Sequence, residues 1–243
     1  MKTAVVTGTS YGIGKSIAEA LLSEGWKVYG LSRSEPAFTN EQFVWLKCDL
    51  SKPEQITSSL QRITEPKLDA LISNAGVVKI ETASAVSQES YEETFSVNVL
   101  APMLLVNALL HKITQATIVS VSSVSDRLPE AKLALYCSSK AANTLYFRAL
   151  AQELKNAQVY TLLPDYVETP MLHSTEDETD GFDWSATIRP NDIAKLTVDL
   201  VSAKTKLDSG STIIIVTEAL KEDLKSNEKL YGYNTDTNNL DRL

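Results

Sequence analysis

The stretch Thr7-Gly8-Thr9-Ser10-Tyr11-Gly12-Ile13-Gly14 lies between two runs of different hydrophobic period. Before it, Lys2 to Thr7 is a short β-branched segment; after it, Ile13 to Leu22 carries apolar residues at helical spacing until Gly25 closes the helix. The reading is strand, glycine turn, helix. Three glycines let backbone amides approach a pyrophosphate, and the helix N-terminus adds a favourable dipole, although a tight turn without a ligand fits the same pattern. The spacing is not the G-x-G-x-x-G of the commonest dinucleotide fold. Lys27 to Leu31 follows as a second strand, so the opening forms a β-α-β unit with a right-handed crossover and a parallel pair.

The end of that second strand is where a cofactor ribose would be read. A carboxylate there would accept a hydrogen bond from a free 2′-hydroxyl, but the chain offers Ser32-Arg33-Ser34, a cation flanked by hydroxyls that suits a 2′-phosphate. NADP is therefore expected over NAD, against the plainer reading of a solvated loop arginine. Phe43 to Lys47 makes a third strand running into Cys48-Asp49-Leu50, where Asp49 is placed to face an adenine amino group, and Ser51 to Glu54 starts a helix with a hydroxyl cap and an early proline. Leu68 to Ser73 is a fourth strand. It ends in Asn74-Ala75-Gly76, small residues where a backbone passes close to something.

Ser87 to Leu110 reads as mostly helical with Ser87 as cap, and Asn98 sits in its apolar stretch as a buried amide that needs partners. Thr117 to Val121 is a fifth strand, which puts Ser123 at a strand's carboxyl end, the edge where open parallel sheets bind ligands. A helix from Tyr136 to about Leu154 follows. On it Tyr136 and Lys140 are four positions apart and share a face, so the ammonium is expected to favour the phenolate and bring the phenol's pKa toward working pH. Gln158 to Leu163 is a sixth strand, interrupted by Pro164-Asp165-Tyr166-Val167-Glu168-Thr169-Pro170. The polar, aperiodic segment 171–189 reads as a mobile substrate loop, made repellent to anions by Glu176, Asp177, Glu178, Asp180 and Asp183. Asn191-Asp192 caps a further helix to about Val201, Thr212 to Val216 is a seventh strand, and the tail from Lys221 reads as helix and then frayed end.

At 243 residues, 43% hydrophobic and 22% charged, the chain suits one α/β domain. Its N-terminal apolar run is too short for a signal peptide, and no run of roughly 18 uninterrupted apolar residues marks a membrane span, so a soluble, cytoplasmic protein is expected. Two cysteines and two histidines make neither a disulfide framework nor a dedicated transition-metal site. A net charge of −8 disfavours nonspecific nucleic-acid and anionic-membrane binding.

Taken together, these signals resemble the short-chain dehydrogenase/reductase family along nearly the whole chain. Thr7 to Gly14 matches its T-G-x-x-x-G-x-G turn, Asn74-Ala75-Gly76 its N-A-G, and Tyr136-Cys137-Ser138-Ser139-Lys140 its Y-x-x-x-K, with Ser123 thirteen residues before the tyrosine. Asn98 completes a tetrad, and Pro164 to Thr169 resembles the P-G-x-V-x-T loop whose valine and threonine, here Val167 and Thr169, hold the nicotinamide amide. The resemblance implies a single Rossmann-like domain with a doubly wound parallel sheet of about seven strands. It further implies an NADP(H)-dependent oxidoreductase interconverting a carbonyl and an alcohol on a small molecule, without a metal. In it Tyr136 is the proton donor, Ser123 orients the reacting oxygen, Lys140 binds the ribose and tunes Tyr136, and Asn98 holds a water on a proton route. An acyl-carrier-protein reductase is the alternative, which would want a basic patch and finds only Arg127 and Lys132; a non-catalytic NADP(H)-binding regulator is another. Asp165 departs from the usual glycine, and the G-G common after the last strand is missing, so the choice between homodimer and homotetramer stays open. Ser125, Asp126, Leu128, Cys137, Tyr166 and the 171–189 loop are expected to line the substrate pocket.

Overall fold

Thr3–Thr7 (β1), Lys27–Ser32 (β2), Phe43–Lys47 (β3), Ala70–Ser73 (β4), Thr117–Val121 (β5), Gln158–Pro164 (β6) and Thr212–Ile215 (β7) form one sheet in the order β3-β2-β1-β4-β5-β6-β7. Every neighbouring pair is parallel. The computed structural model describes residues 1–174 and 184–218, together with the backbone of 231–234 and 239–242. A parallel sheet must be covered on both faces, and β1, β4 and β5 accordingly read as near-continuous apolar runs. On one face Gly12–Ser23 (α1) and Pro190–Val201 (α7) bury Ile17, Leu21, Ile193 and Val198 against Val6, Ile72 and Val119. On the other, Pro53–Leu60 (α2), Ala101–Ile113 (α4) and Ala134–Glu153 (α5) bury Ile56, Leu105, Leu109 and Phe147 against Val5, Leu71 and Ile118. The strand order reverses between β1 and β4, and a parallel sheet opens a crevice at such a switch, beyond the carboxyl ends of its strands.

The expected helix from Ser87 begins as foreseen: the Ser87 hydroxyl accepts from Ser90 N at 3.1 Å and caps Gln88–Phe95 (α3). It does not run regularly to Leu110, because Ser96–Leu100 is a π turn before α4 continues. Counted through, Gln88–Ile113 is 26 residues, and its most apolar 18-residue stretch has a mean hydropathy of 1.5, long and apolar enough by composition to cross a membrane; here Ala101, Leu105, Val106, Leu109 and Ile113 spend that apolarity on the sheet.

Three local expectations are corrected. Lys52, not Ser51, occupies the N-cap of α2, since the Ser51 hydroxyl is donated at 2.8 Å to Asp49. Arg189 caps α7 with Pro190 in its first turn, so Asn191 and Asp192 lie inside the helix. The end of the tail, expected to fray, forms an antiparallel hairpin of Tyr231–Asn234 (β8) with Asn239–Arg242 (β9), while the helix expected from Lys221 lies outside the described residues.

Candidate active site

The glycine turn is built around Thr7. Its hydroxyl accepts the backbone N–H groups of Asn74 at 2.9 Å and Ala75 at 3.0 Å, while the Asn74 amide donates to the Thr7 carbonyl at 2.9 Å. The ends of β1 and β4 are thereby locked side by side. Gly8 has φ +74°, and a Cβ at Gly14 would lie 2.3 Å from the Gly8 carbonyl oxygen and 2.4 Å from Asn74 Nδ2, so only glycine lets α1 start this close to the sheet. Tyr11 occupies the N-cap without a side-chain hydrogen bond, and no acidic residue stands in the first turn. The leading amides of α1 are thus free of a protein cap, in a position suited to an anion.

A cleft of about 1150 Å³ runs from this turn across the carboxyl edge of the sheet. Gly8, Ser10, Tyr11, Gly12, Ile13, Ser32, Arg33, Ser34, Asp49, Leu50, Asn74, Ala75, Gly76, Pro164, Val167 and Thr169 all line it, as do Ser123, Tyr136 and Lys140. Thr9, Gly14 and Asn98 do not: they hold the walls from behind.

At the β2 end the expected group of two hydroxyls and a cation divides. Ser32 is 5% exposed; its hydroxyl donates to the Ser34 carbonyl at 2.8 Å and accepts from the Trp45 indole N–H and the Thr9 hydroxyl, each at 3.2 Å. The Ser34 carbonyl also accepts from the Ser10 hydroxyl at 2.8 Å. These contacts fix the loop's shape and leave Arg33 as its exposed cation. Asp49 is drawn into a turn, its Oδ1 accepting from Ser51 N at 3.0 Å and from the Ser51 hydroxyl. Burial pulls that carboxyl upward, but the Ser51 hydrogen bonds and the Arg33 charge outweigh it and leave Asp49 below the ordinary carboxylate range.

The helix bearing the Y-x-x-x-K pair starts at Ala134, two residues before Tyr136. The Ser123 hydroxyl, just beyond β5, donates to Ser125 Oγ at 3.1 Å and lines the cleft together with the Tyr136 phenol, whose pKa it lowers. Lys140 Nζ lies 5.5 Å from the Tyr136 ring centroid and donates to the Val121 carbonyl at 3.3 Å. The electrostatics reverse the expectation. Burial pushes the Tyr136 phenol up to about 12, helped by the charge of Glu130 and only partly opposed by Ser123, and burial brings Lys140 down to about 8. Tyr136 keeps a partly exposed edge in the cleft, yet densely packed protein around the hydroxyl penalises its charge.

Asn98 is placed by the π turn. Its side chain accepts from Val77 N at 2.8 Å and donates to the Val77 carbonyl at 2.9 Å and the Ser139 hydroxyl at 3.0 Å. Its own carbonyl accepts from Asn143 Nδ2 at 3.1 Å. The amide is therefore fully engaged with the strand-like segment after Asn74-Ala75-Gly76. A Cβ on Gly76 would meet both Asn98 Oδ1 and Lys140 Nζ at 3.4 Å, so Gly76 is the narrow point between them.

Beyond Pro164, Asp165 sits without a left-handed φ, so this turn does not require the usual glycine. Val167 bridges to Ile188, and Thr169 caps the short helix Pro170–His173 (α6), accepting from Leu172 N at 3.4 Å. The substrate end of the cleft contains Ser125 and Tyr166 as expected, together with Met171 and Leu172 from the start of the expected substrate loop. Asp126, Leu128 and Cys137 stay out of it, Asp126 because it pairs with Arg127 at 2.7 Å. Glu176, Asp177, Glu178, Asp180 and Asp183 lie outside the described residues. Residues the sequence reading missed are Glu89 and Glu92 on α3 and Glu130 in the β5–α5 loop; their only signal was being acidic in segments read as plain surface.

Comparison with known proteins agrees with this geometry. The family model described as short chain dehydrogenase matches residues 2–180. A 3-oxoacyl-(acyl-carrier-protein) reductase FabG of Vibrio cholerae is 30% identical over 190 residues, which is 73% of this chain and 78% of the relative. A 15-hydroxyprostaglandin dehydrogenase (NAD(+)) of Bos taurus is 30% identical over 200 residues, covering 73% and 72%. The solved 3-ketoacyl-(acyl-carrier-protein) reductase of Brucella melitensis, complexed with NADH, superposes with TM-score 0.81 at 24% identity over 88% of this chain and 96% of its own. With a family match over residues 2–180 and the sheet order, glycine turn and Ser-Tyr-Lys cleft just described, the chain belongs to the short-chain dehydrogenase/reductase family of oxidoreductases.

Proposed function

We propose that this protein interconverts a carbonyl and an alcohol on a small organic molecule with NADP(H) as cofactor. The observation that carries the reading is the convergence of Ser123, Tyr136 and Lys140 at the strand edge of a cleft whose far end presents uncapped helix amides and Arg33. The cradle fits a dinucleotide: Gly8 and Gly12 keep the turn open, Asn74 to Gly76 line the floor, and a 2′-phosphate has a guanidinium to meet. When bound, the cofactor supplies or accepts the hydride.

In the reductive direction, Tyr136 donates its phenolic proton to the substrate oxygen and Ser123 orients that oxygen. A phenol held near 12 is well suited to stay protonated until the oxygen gains charge. Lys140, buried beside it and donating to the Val121 carbonyl, is positioned to meet the nicotinamide ribose hydroxyls; a cation held there stabilises the tyrosinate left behind. Asn98 keeps the Val77 backbone and α5 in register beneath both.

With a relative named for NAD(+), cofactor choice rests on Arg33, which lines the ribose end with Lys52 nearby. Similarity to an acyl-carrier-protein reductase favours the second reading, a 3-oxoacyl-thioester substrate. Against it, the mouth of the cleft carries Glu89, Glu92 and Glu130, which would repel an acidic carrier. The test is purified protein with NADPH or NADH against ketones, aldehydes, quinones and a 3-oxoacyl thioester. Turnover is expected with NADPH, a loss of about a thousandfold or more in Tyr136→Phe, and a much greater loss for NADPH than NADH in Arg33→Ala. No oxidation of either cofactor, with Tyr136→Phe matching the parent, would sink the proposal.

A further inference from the structure

Glu130 is fixed more firmly than its loop position requires. Its carbonyl accepts from Leu133 N at 3.2 Å, and its carboxylate Oε2 accepts the Tyr166 hydroxyl at 3.0 Å. Tyr166 belongs to the β6–α6 loop and Glu130 to the β5–α5 loop, so this hydrogen bond joins the two loops that flank Tyr136. Both residues line the cleft, and the negative charge of Glu130 is felt at the Tyr136 phenol. A carboxylate held by a phenol still has an oxygen with lone pairs to offer.

The other charges on this end sharpen the picture. Glu89 and Glu92 line the cleft from α3, while Glu93 is neutralised by Lys79 at 2.7 Å. Lys132 is the cation on the same wall; Lys140 lies deeper, between Gly76 and the Val121 carbonyl. Among the described residues, Glu89, Glu92 and Glu130 thus stand against Lys132 and the deeper Lys140 around the space a substrate's remote part would occupy. An anionic substituent would meet repulsion there, and an ammonium would gain a charge-assisted hydrogen bond.

On the strength of the carbonyl–alcohol reading above, on which it rests, we propose that Glu130, positioned by Tyr166, is the specificity residue of this cleft and selects substrates that carry a protonated amine near the reacting carbonyl or alcohol carbon. Discrimination follows from the charge of the substituent, and the reacting oxygen still meets Ser123 and Tyr136.

The test is a matched series: one cyclic ketone bearing an aminomethyl, an ethyl or a carboxylate substituent at the same ring position. With NADPH, kcat/KM of the parent should favour the amine over the ethyl compound by about tenfold or more, mostly through KM, with the carboxylate poorest. Glu130→Gln keeps the shape and the hydrogen bond from Tyr166 but removes the charge. It should reduce the preference for the amine to within about threefold and improve the carboxylate. Circular dichroism and thermal melts of the variant check that the fold is kept, and competition binding of the three ketones to Tyr136→Phe with NADPH should rank them in the same order without turnover. An unchanged ranking in Glu130→Gln, or no preference for the amine in the parent, overturns the assignment. If none of the three binds or is turned over and the wider carbonyl panel is also inert, the carbonyl–alcohol reading itself fails; turnover without charge ranking defeats the specificity claim alone.

Discussion

Replacing Lys140 with methionine should stabilise the folded protein at neutral pH. The Lys140 residue is 6% exposed, and its ammonium donates to the Val121 carbonyl and lies over the Tyr136 ring. Desolvation lowers its pKa from 10.5 to about 8. At about 1.36 kcal/mol per pH unit, this is a penalty of about 3 kcal/mol against folding. The penalty is complete below pH 8, where Lys140 is protonated both folded and unfolded. It shrinks as pH rises through 8, because the folded chain then sheds its proton while the unfolded chain keeps one until about 10.5, and stability rises over that window. Methionine fills a similar volume without charge but forfeits a hydrogen bond of about 1–1.5 kcal/mol, so the net gain at pH 7 is about 2 kcal/mol. For a chain of this size that is roughly 4–8 °C in Tm. Urea titrations of parent and Lys140→Met at pH 7 and pH 10 read both quantities, and the gap should close by about 2.5 kcal/mol at the higher pH. A variant less stable than the parent at pH 7, or a gap equal at both values, would show that burial of the ammonium is not what sets its chemistry.

Gly14→Ala should cost about 1–3 kcal/mol, since its methyl cannot avoid the Gly8 carbonyl or Asn74; an unchanged urea midpoint would contradict that packing. Asn98→Ala leaves the N–H and carbonyl of Val77 unpaired, about 1–3 kcal/mol each, and hydrogen exchange at Val77 should rise well above that of the β5 core. Ser32→Ala removes the acceptor of the Trp45 indole, so tryptophan fluorescence should shift and stability fall by about 1 kcal/mol. The NADPH-to-NADH preference should stay within about twofold of the parent; a collapse like that expected of Arg33→Ala would place Ser32 on the phosphate after all.

The parallel sheet was legible because its strands are short apolar runs, several closed by glycine, serine or asparagine as at Gly8, Ser32, Asn74 and Ser122, and period alone locates such runs. The glycine turn and the N-A-G segment were legible because their spacing reflects close backbone approach, as Gly14 against Asn74 demonstrates. What escaped depends on which way a polar group faces. Ser32 and Arg33 are adjacent in sequence, yet Trp45 and Thr9 turn one inward and leave the other outside. The Tyr136–Lys140 spacing gave the shared face but could not weigh charge attraction against desolvation, and burial decided that contest. Glu130 had no periodic or motif signal, because its place in the cleft depends on Tyr166, 36 residues later.

The π turn at Ser96–Leu100 makes chain length itself a functional quantity. It adds a residue within a helix whose two halves are anchored to different things, Thr94 buried on one side and Leu105 and Leu109 in the core on the other. Deleting one residue would let the helix become regular and would rotate one half by about 100° relative to the other. Either Asn98 would swing away from Val77 or the leucines would leave the core. Insertions and deletions are therefore better tolerated in the loops around the cleft than in these five residues, and a change of length there costs either the site or the fold.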